Sequence, residues 1–164
     1  MPPTPATYRP AQIWLHWIVV IGVILQIGFN SAIVAVVDAR EAGQAPAAAD
    51  MTWAWFHVGT GSMILLAVIA RLVLRWRHGV PGHAPGTSAL QARIASAMHA
   101  ALYGLLLALV VTGMLTWNGL APLGGLHFAL GTALFFAALA HAAAAIFNQL
   151  IRKDGTLARM KLRF

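Results

Sequence analysis

Polar residues thin out after Gln12, and four long apolar runs follow, near Ile13 to Val36, Trp53 to Leu74, Ser96 to Trp117 and Leu126 to Ile151. At about 1.5 Å per residue, each run is long enough to cross about 30 Å of hydrocarbon as a helix. The segments between them carry turn signals. "MPPTPATYRPAQ" holds four of the eight prolines and predicts an irregular lead-in. "DAREAGQAPAAAD" is Ala-rich, with room for a short helical turn before Asp50 or Thr52 caps the second run. "HGVPGHAPGTS" predicts a flexible loop, with Thr87 or Ser88 starting the approach to the third run, and "NGLAPLGGL" predicts a tight turn. The first run is too long for a signal-peptide core and is read as a retained helix. No internal repeat is visible, so the expected architecture is a single all-α, four-helix membrane domain over residues 1–164.

Composition narrows the class. With 60% hydrophobic and 9% charged residues, the chain lies outside the range of soluble domains and belongs in lipid as a multi-pass protein. The cations are distributed unevenly. Arg9, Arg71, Arg75, Arg77, Arg93, Arg152, Lys153, Arg159, Lys161 and Arg163 all flank one side of the predicted spans, while the first loop sets Arg40 against Asp38, Glu41 and Asp50. Lys and Arg near span ends stay cytoplasmic, so both termini are expected in the cytoplasm. The same rule and contact with anionic lipid account for the net charge of +7 without nucleic acid. Trp14, Trp17 and Trp76 fall near the cytoplasmic ends and Trp53, Trp55 and Trp117 near the outer ends, as an aromatic belt requires. No cysteine is present, which excludes disulfides, thiolate nucleophiles and thioether-linked haem.

Ionisable groups inside a bilayer are costly and face a partner, a cavity or a cofactor. Five of the seven histidines, His16, His57, His99, His127 and His141, lie in or at the ends of spans, whereas His78 and His83 sit in the Gly/Pro loop and are expected to be solvated. His127 and His141 are 14 residues apart. That is a rotation of about 1400° and a rise of about 21 Å, so both rings share one helix face at different depths. His57 is level with His127, and His16 is broadly level with His141. Two opposed imidazole pairs suit two six-coordinate haems, and axial histidines on both sides leave electron transfer as the natural chemistry.

Gly59, Gly61, Gly131 and Ala137 near these histidines would let a flat macrocycle approach the backbone. A single membrane histidine more often bonds to a neighbouring helix, and His99 competes with His16 for the inner position. Arg71 and Arg75, spaced i, i+4, are either snorkelling anchors or partners for haem propionates. Tyr103, at i+4 from His99, either orients that ring or packs, and Met63, Met98 and Met114 read as filler. Zinc or copper would want three or four ligands in one cluster, and a proton relay would want carboxylates inside the spans; neither pattern is present.

"LHWIV" around His16, "FHVGTGSMILLAVIARLVLR", "MHAALYGLLLALVVTGM" and "AHAAAAIFNQLIRKDGTLARM" together resemble the bacterial cytochrome b561 family over nearly the whole chain. The resemblance implies a four-helix bundle with two b haems, whose ligands fall on His16, His57, His127 and His141. Helix geometry selects the same four. Where similar sequences carry a His-His pair, this chain has Asn148 and Gln149, whose amides can still hydrogen-bond.

The expected function is single-electron transfer across the bacterial inner membrane between an outer-face donor and the quinone pool, with ubiquinone as a candidate acceptor. One rival is a superoxide:quinone oxidoreductase; its anionic substrate would benefit from outer cations, of which Arg40 is the one available. That scarcity favours a periplasmic redox protein as donor. Others are a cytochrome subunit of a larger hydrogenase or dehydrogenase complex, and a non-redox scaffold or transporter.

Overall fold

In the computed structural model, which describes residues 7–84 and 86–161, all regular structure among the described residues is helical. The helices are α1 Pro10–Gly28, α2 Ser31–Glu41, α3 Ala48–His78, α4 Ala89–Trp117 and α5 Gly124–Leu150, followed by a short 3₁₀ turn, Leu157–Met160. Residues 1–6 of the expected lead-in and the tail cation Arg163 lie outside the described residues. Four helices, α1, α3, α4 and α5, are long and apolar enough to cross a membrane. Between their first and last turns the backbone N–H and C=O groups pair along the helix, the one economical arrangement where no water competes.

The first apolar run is not one helix, contrary to expectation. Helix α1 ends at Gly28, and Phe29 leaves helical geometry with φ −124° and ψ 44°. Its ring stacks on Trp53 of α3, with centroids 5.3 Å apart and planes 4° apart, and meets Phe56 edge-on at 6.1 Å. Aromatic contacts of this kind each contribute about 0.5–1.5 kcal/mol beyond area burial, enough to hold a turn that apolar periodicity does not disclose. Helix α2 then buries Ala32 and Val36 and packs on α3, while its last residues include Asp38, Arg40 and Glu41. A segment carrying three charges has no place in the hydrocarbon, so the chain turns aside here.

The start of the second span also differs in detail. Helix α3 begins at Ala48, so neither Asp50 nor Thr52 caps it. Asp50 instead sits in the first turn, where the helix dipole favours a negative charge. Thr52 donates its hydroxyl hydrogen bond back to the Ala48 carbonyl at 3.2 Å. At the other end of α3, Arg75, Arg77 and His78 occupy the last turn, which complements the dipole. Helix α4 does begin on Ser88: its Oγ accepts from the Gln91 N–H at 3.3 Å, and Gln91 Oε1 accepts from the Ser88 N–H at 3.0 Å.

The helices associate as two pairs. Helix α1 lies along α3, and α4 lies along α5, with a smaller contact between α3 and α4 joining the pairs. Polar ties strengthen the first pair at the end that gathers the Arg and Lys residues, hereafter the basic end. Buried Gln12 of α1 donates to the Gly79 carbonyl at 3.1 Å, and Arg71 of α3 donates to the Gln12 carbonyl at 2.7 Å and to Tyr103 Oη of α4 at 3.4 Å. In a bilayer, where no hydrophobic force draws helices together, such bonds and close contacts between small residues supply the cohesion. The remaining apolar side chains face outward, among them Ile24, Leu66, Phe128 and Phe136, as lipid contact demands.

Gly22 marks the tightest approach of α1 to α3. A Cβ there would lie 2.7 Å from Ile64 Cγ1, too close for any real pair. Gly22→Ala is therefore expected to destabilise the protein by about 1–3 kcal/mol through overpacking. The unfolding midpoint in detergent measures it. The two sites should couple, with Ile64→Ala costing less in the Gly22→Ala background than in the wild type.

Candidate functional site

The histidines of the spans gather in two places. His57 on α3 and His127 on α5 form one pair, with ring centroids 6.3 Å apart and planes inclined by 62°. At the basic end, His16 on α1 and His141 on α5 form a second, 6.5 Å apart and inclined by 72°. His99 on α4 joins the second group, with its centroid 5.1 Å from that of His141. All five rings are half-buried. Helix α5 supplies one member of each pair although its main packing partner is α4, so both pairs reach between the two helix pairs of the bundle.

The neighbourhoods of these rings differ. His127 rests against α4: its Nδ1 is 3.1 Å from Thr112 Oγ1, and a Cβ on Gly113 would stand 2.9 Å from the ring's Cε1. His57 is held through its backbone, whose carbonyl accepts from Gln26 Nε2 at 2.8 Å, while its own buried Nδ1 has no hydrogen-bond partner. Gln26 Oε1 is likewise buried without one.

Around His16 the basic end is more crowded. The neighbouring Trp17 donates to the Met160 carbonyl at 3.0 Å, which ties the 3₁₀ turn to α1. Arg71 lies within electrostatic reach of His16, His99 and His141. Arg75, one turn further on, is exposed and reaches His99. A cavity of about 280 Å³ opens beside this end, lined by Tyr8, Ile13, Trp14 and Arg159 among others.

The glycines expected to make room beside the rings divide. Gly59 has nothing within 4 Å of a Cβ, whereas Gly61 accommodates the Gln26 amide at 3.0 Å and Gly131 faces Leu109 of α4 at 4.0 Å. Of the groups the sequence did not single out, Gln26 had a detectable signal as a lone amide in an apolar span. Thr112 and Gly113 had none, because a Thr-Gly step in a membrane helix is ordinary packing material.

These rings can be tested against a metal. An imidazole nitrogen binds a transition metal at about 2.0 Å, so rings on opposite sides of one ion keep their centroids roughly 6 Å apart. Both cross-bundle pairs meet that spacing, and His99 stands too close to His141 to do so. Among the described residues, no cluster of three or more His, Cys, Asp or Glu side chains could hold a metal ion by itself. The buried, orphaned Nδ1 of His57 is a polar atom that helix packing leaves unexplained. Neutral imidazoles in pairs, without carboxylate or thiolate, suit the two axial positions of haem iron better than a zinc site.

Four apolar spans with such pairs are what a membrane b-type cytochrome, a haem-binding protein of electron transfer, requires. Residues 7–162 match the family described as prokaryotic cytochrome b561, and the chain belongs to that family. Cytochrome b562 of Cereibacter sphaeroides is 31% identical over 156 residues, covering 93% of this chain and 94% of that protein. Cytochrome b561 homolog 1 of Escherichia coli K12 is 26% identical over 178 residues, covering 95% and 97% respectively. The protein is accordingly a multi-pass bacterial membrane protein.

The turn after α5 carries a pH dependence of its own. Asp154 Oδ1 accepts from the Thr156 hydroxyl at 2.6 Å and from the Thr156 N–H at 3.0 Å, and these bonds hold its carboxyl below the usual 3.8. A depressed carboxyl stabilises the turn above its unfolded pKa and loses that effect as pH falls through the folded value. Hydrogen exchange should show the Thr156 amide losing protection below about pH 3.8. Asp154→Ala should lack that protection at every pH, and a protection factor unchanged down to pH 2 would contradict the assignment.

Proposed function

We propose that the chain holds two b haems, one between His57 and His127 and one between His16 and His141, and passes single electrons through the inner membrane between an outer-face donor and ubiquinone. The observation that carries this reading is the pair of centroid separations, 6.3 Å and 6.5 Å, each formed by helices that do not otherwise pack closely. A haem held there by these imidazoles would supply reversible one-electron chemistry without binding an outside ligand.

The residues divide the work. The four histidines fix the positions of the two centres, and the α5 repeat separates them by a rise of about 21 Å along the helix. Bulky side chains such as Phe29, Trp53 and Phe56 cluster at the end of the bundle where α1 stops. At the basic end, taken as cytoplasmic from its excess of cations, Arg71 and Arg75 offer positive charge to propionates of the inner haem. There Arg71 is held by the Gln12 carbonyl and Tyr103. His99 acts beside His141 as a neighbouring polar ring, since 5.1 Å is too short for an axial pair.

The cavity lined by Tyr8, Trp14 and Arg159 lies at the same end as the inner pair, where a quinone headgroup would approach it. On the outer side, the Arg40 guanidinium lies 4.2 Å from the Trp117 ring centroid and donates to the Trp117 carbonyl at 3.3 Å. A cation so engaged, among three carboxylates in the loop, favours a basic periplasmic redox protein over superoxide as donor.

Histidine replacement tests the reading. His57→Ala and His127→Ala should each remove the outer haem and leave the inner spectrum, while His16→Ala and His141→Ala should do the converse. Each loses about half the haem, because the two sites share no ligand. His99→Ala should retain both. The haem-to-protein ratio and the reduced-minus-oxidised spectrum give the answer. Full haem in the first four variants would overturn the reading.

A further inference from the structure

Helix α4 supplies no ligand in this scheme, yet its Thr112 hydroxyl and its Leu109 carbonyl both reach the His127 ring. Thr112 is buried, and its hydroxyl donates back along its own helix, to the Ala108 carbonyl at 2.8 Å with the Leu109 carbonyl at 3.1 Å. Back-bonding of this kind is a common resting place for a threonine hydroxyl in a membrane helix. A hydroxyl has one proton. With that proton turned to the backbone, Oγ1 presents only lone pairs to His127 Nδ1, 3.1 Å away.

The proton in that contact must therefore come from the ring. That arrangement assigns His127 the Nδ1–H tautomer, donating to Thr112, and leaves the lone pair on Nε2. Gly113 completes the seat. The positions of a Cβ built there relative to Cε1, Nδ1 and Nε2, at 2.9, 3.2 and 3.8 Å, show that the Nδ1–Cε1 edge is pressed to α4 and that Nε2 is the most distant of the three. The other ring of the pair has no such arrangement, since His57 Nδ1 is buried without a partner.

We infer that Thr112 is a positioning residue for the outer site: by accepting the His127 Nδ1 proton it sets the tautomer that leaves Nε2 free to ligate, and it raises the basicity of that ligand. This inference rests on His127 being an axial ligand. A hydrogen bond donated by the far nitrogen adds electron density to the ligating one, which favours the ferric over the ferrous state. The effect is confined to the outer site, because Thr112 touches neither His16 nor His141.

The test uses the haem-loaded protein and compares Thr112→Val, which keeps shape and loses the acceptor, with Thr112→Ser, which keeps the acceptor. Redox titration with optical and low-spin EPR detection reads the two haems separately. Thr112→Val should shift the outer ferric-to-ferrous equilibrium by about threefold to tenfold toward ferrous, which at 59 mV per tenfold is a rise of roughly 30–60 mV. The inner potential should stay in place, and Thr112→Ser should return the outer one to the wild-type value. If the valine variant loses the outer haem instead, restoration of haem content by serine supports the inference and failure to restore it overturns it. Unchanged potentials in Thr112→Val, or a serine variant that behaves as valine, also overturn it. His127→Ala separates the two levels of argument. Loss of the outer haem there with a silent Thr112→Val removes only the role of Thr112, whereas full haem in His127→Ala removes the ligand reading and this inference with it.

Discussion

The near-integral number of helical turns between His127 and His141 is the constraint on which the rest of this structure depends. Fourteen residues bring α5 round to almost the same face, so one rigid helix offers two imidazoles at two depths. The other helices are arranged to meet them. His57 on α3 comes opposite His127, and His16 on α1 comes opposite His141. Because α1 and α3 pack on each other, one helix pair presents both opposing rings. A polar ring in hydrocarbon is costly when alone. Placing the rings in pairs brings them to the spacing that an iron ligated on both sides would need.

That arrangement needs support that apolar packing cannot give. Lipid tails are as oily as leucine, so helix position is set by small residues and by hydrogen bonds that cross between helices. Here those devices lie beside the histidines. Gly22 lets α1 approach Ile64, Gln26 bonds the His57 carbonyl, and Gly61 leaves space for that amide. At the basic end Gln12, Arg71 and Tyr103 join α1, α3 and α4, and Trp17 secures the turn that follows α5. The contrast between His127, seated on Thr112 and Gly113, and His57, with an orphaned Nδ1, makes this pair unsymmetrical.

Much of this was legible in the sequence because two strong signals were available. Length and hydropathy disclose four spans, and the helical repeat alone aligns His127 with His141. Signals that depend on tertiary contact were not legible. The break at Phe29 is held by stacking on Trp53, a partner 24 residues away, so apolar periodicity ran the first span through it. Asp50 has the chemistry of a cap, but the helix begins at Ala48 with Ala47 in the cap position, so its first turn has no capping side chain. Gly61 was expected to face a macrocycle and instead faces Gln26, a distinction that requires knowing the rotation of α1 on α3. The choice between His16 and His99 was open on depth alone, and the distances to His141, 6.5 Å and 5.1 Å, are what the proposal for His16 rests on.

The measurement that tests the central claim most directly is the haem-to-protein ratio of the detergent-purified wild-type chain, by pyridine haemochrome, together with its low-temperature EPR spectrum. Paired axial histidines at two depths predict two b haems per chain, both low-spin. One haem per chain, or a high-spin signal from iron with an open axial position, would contradict the account.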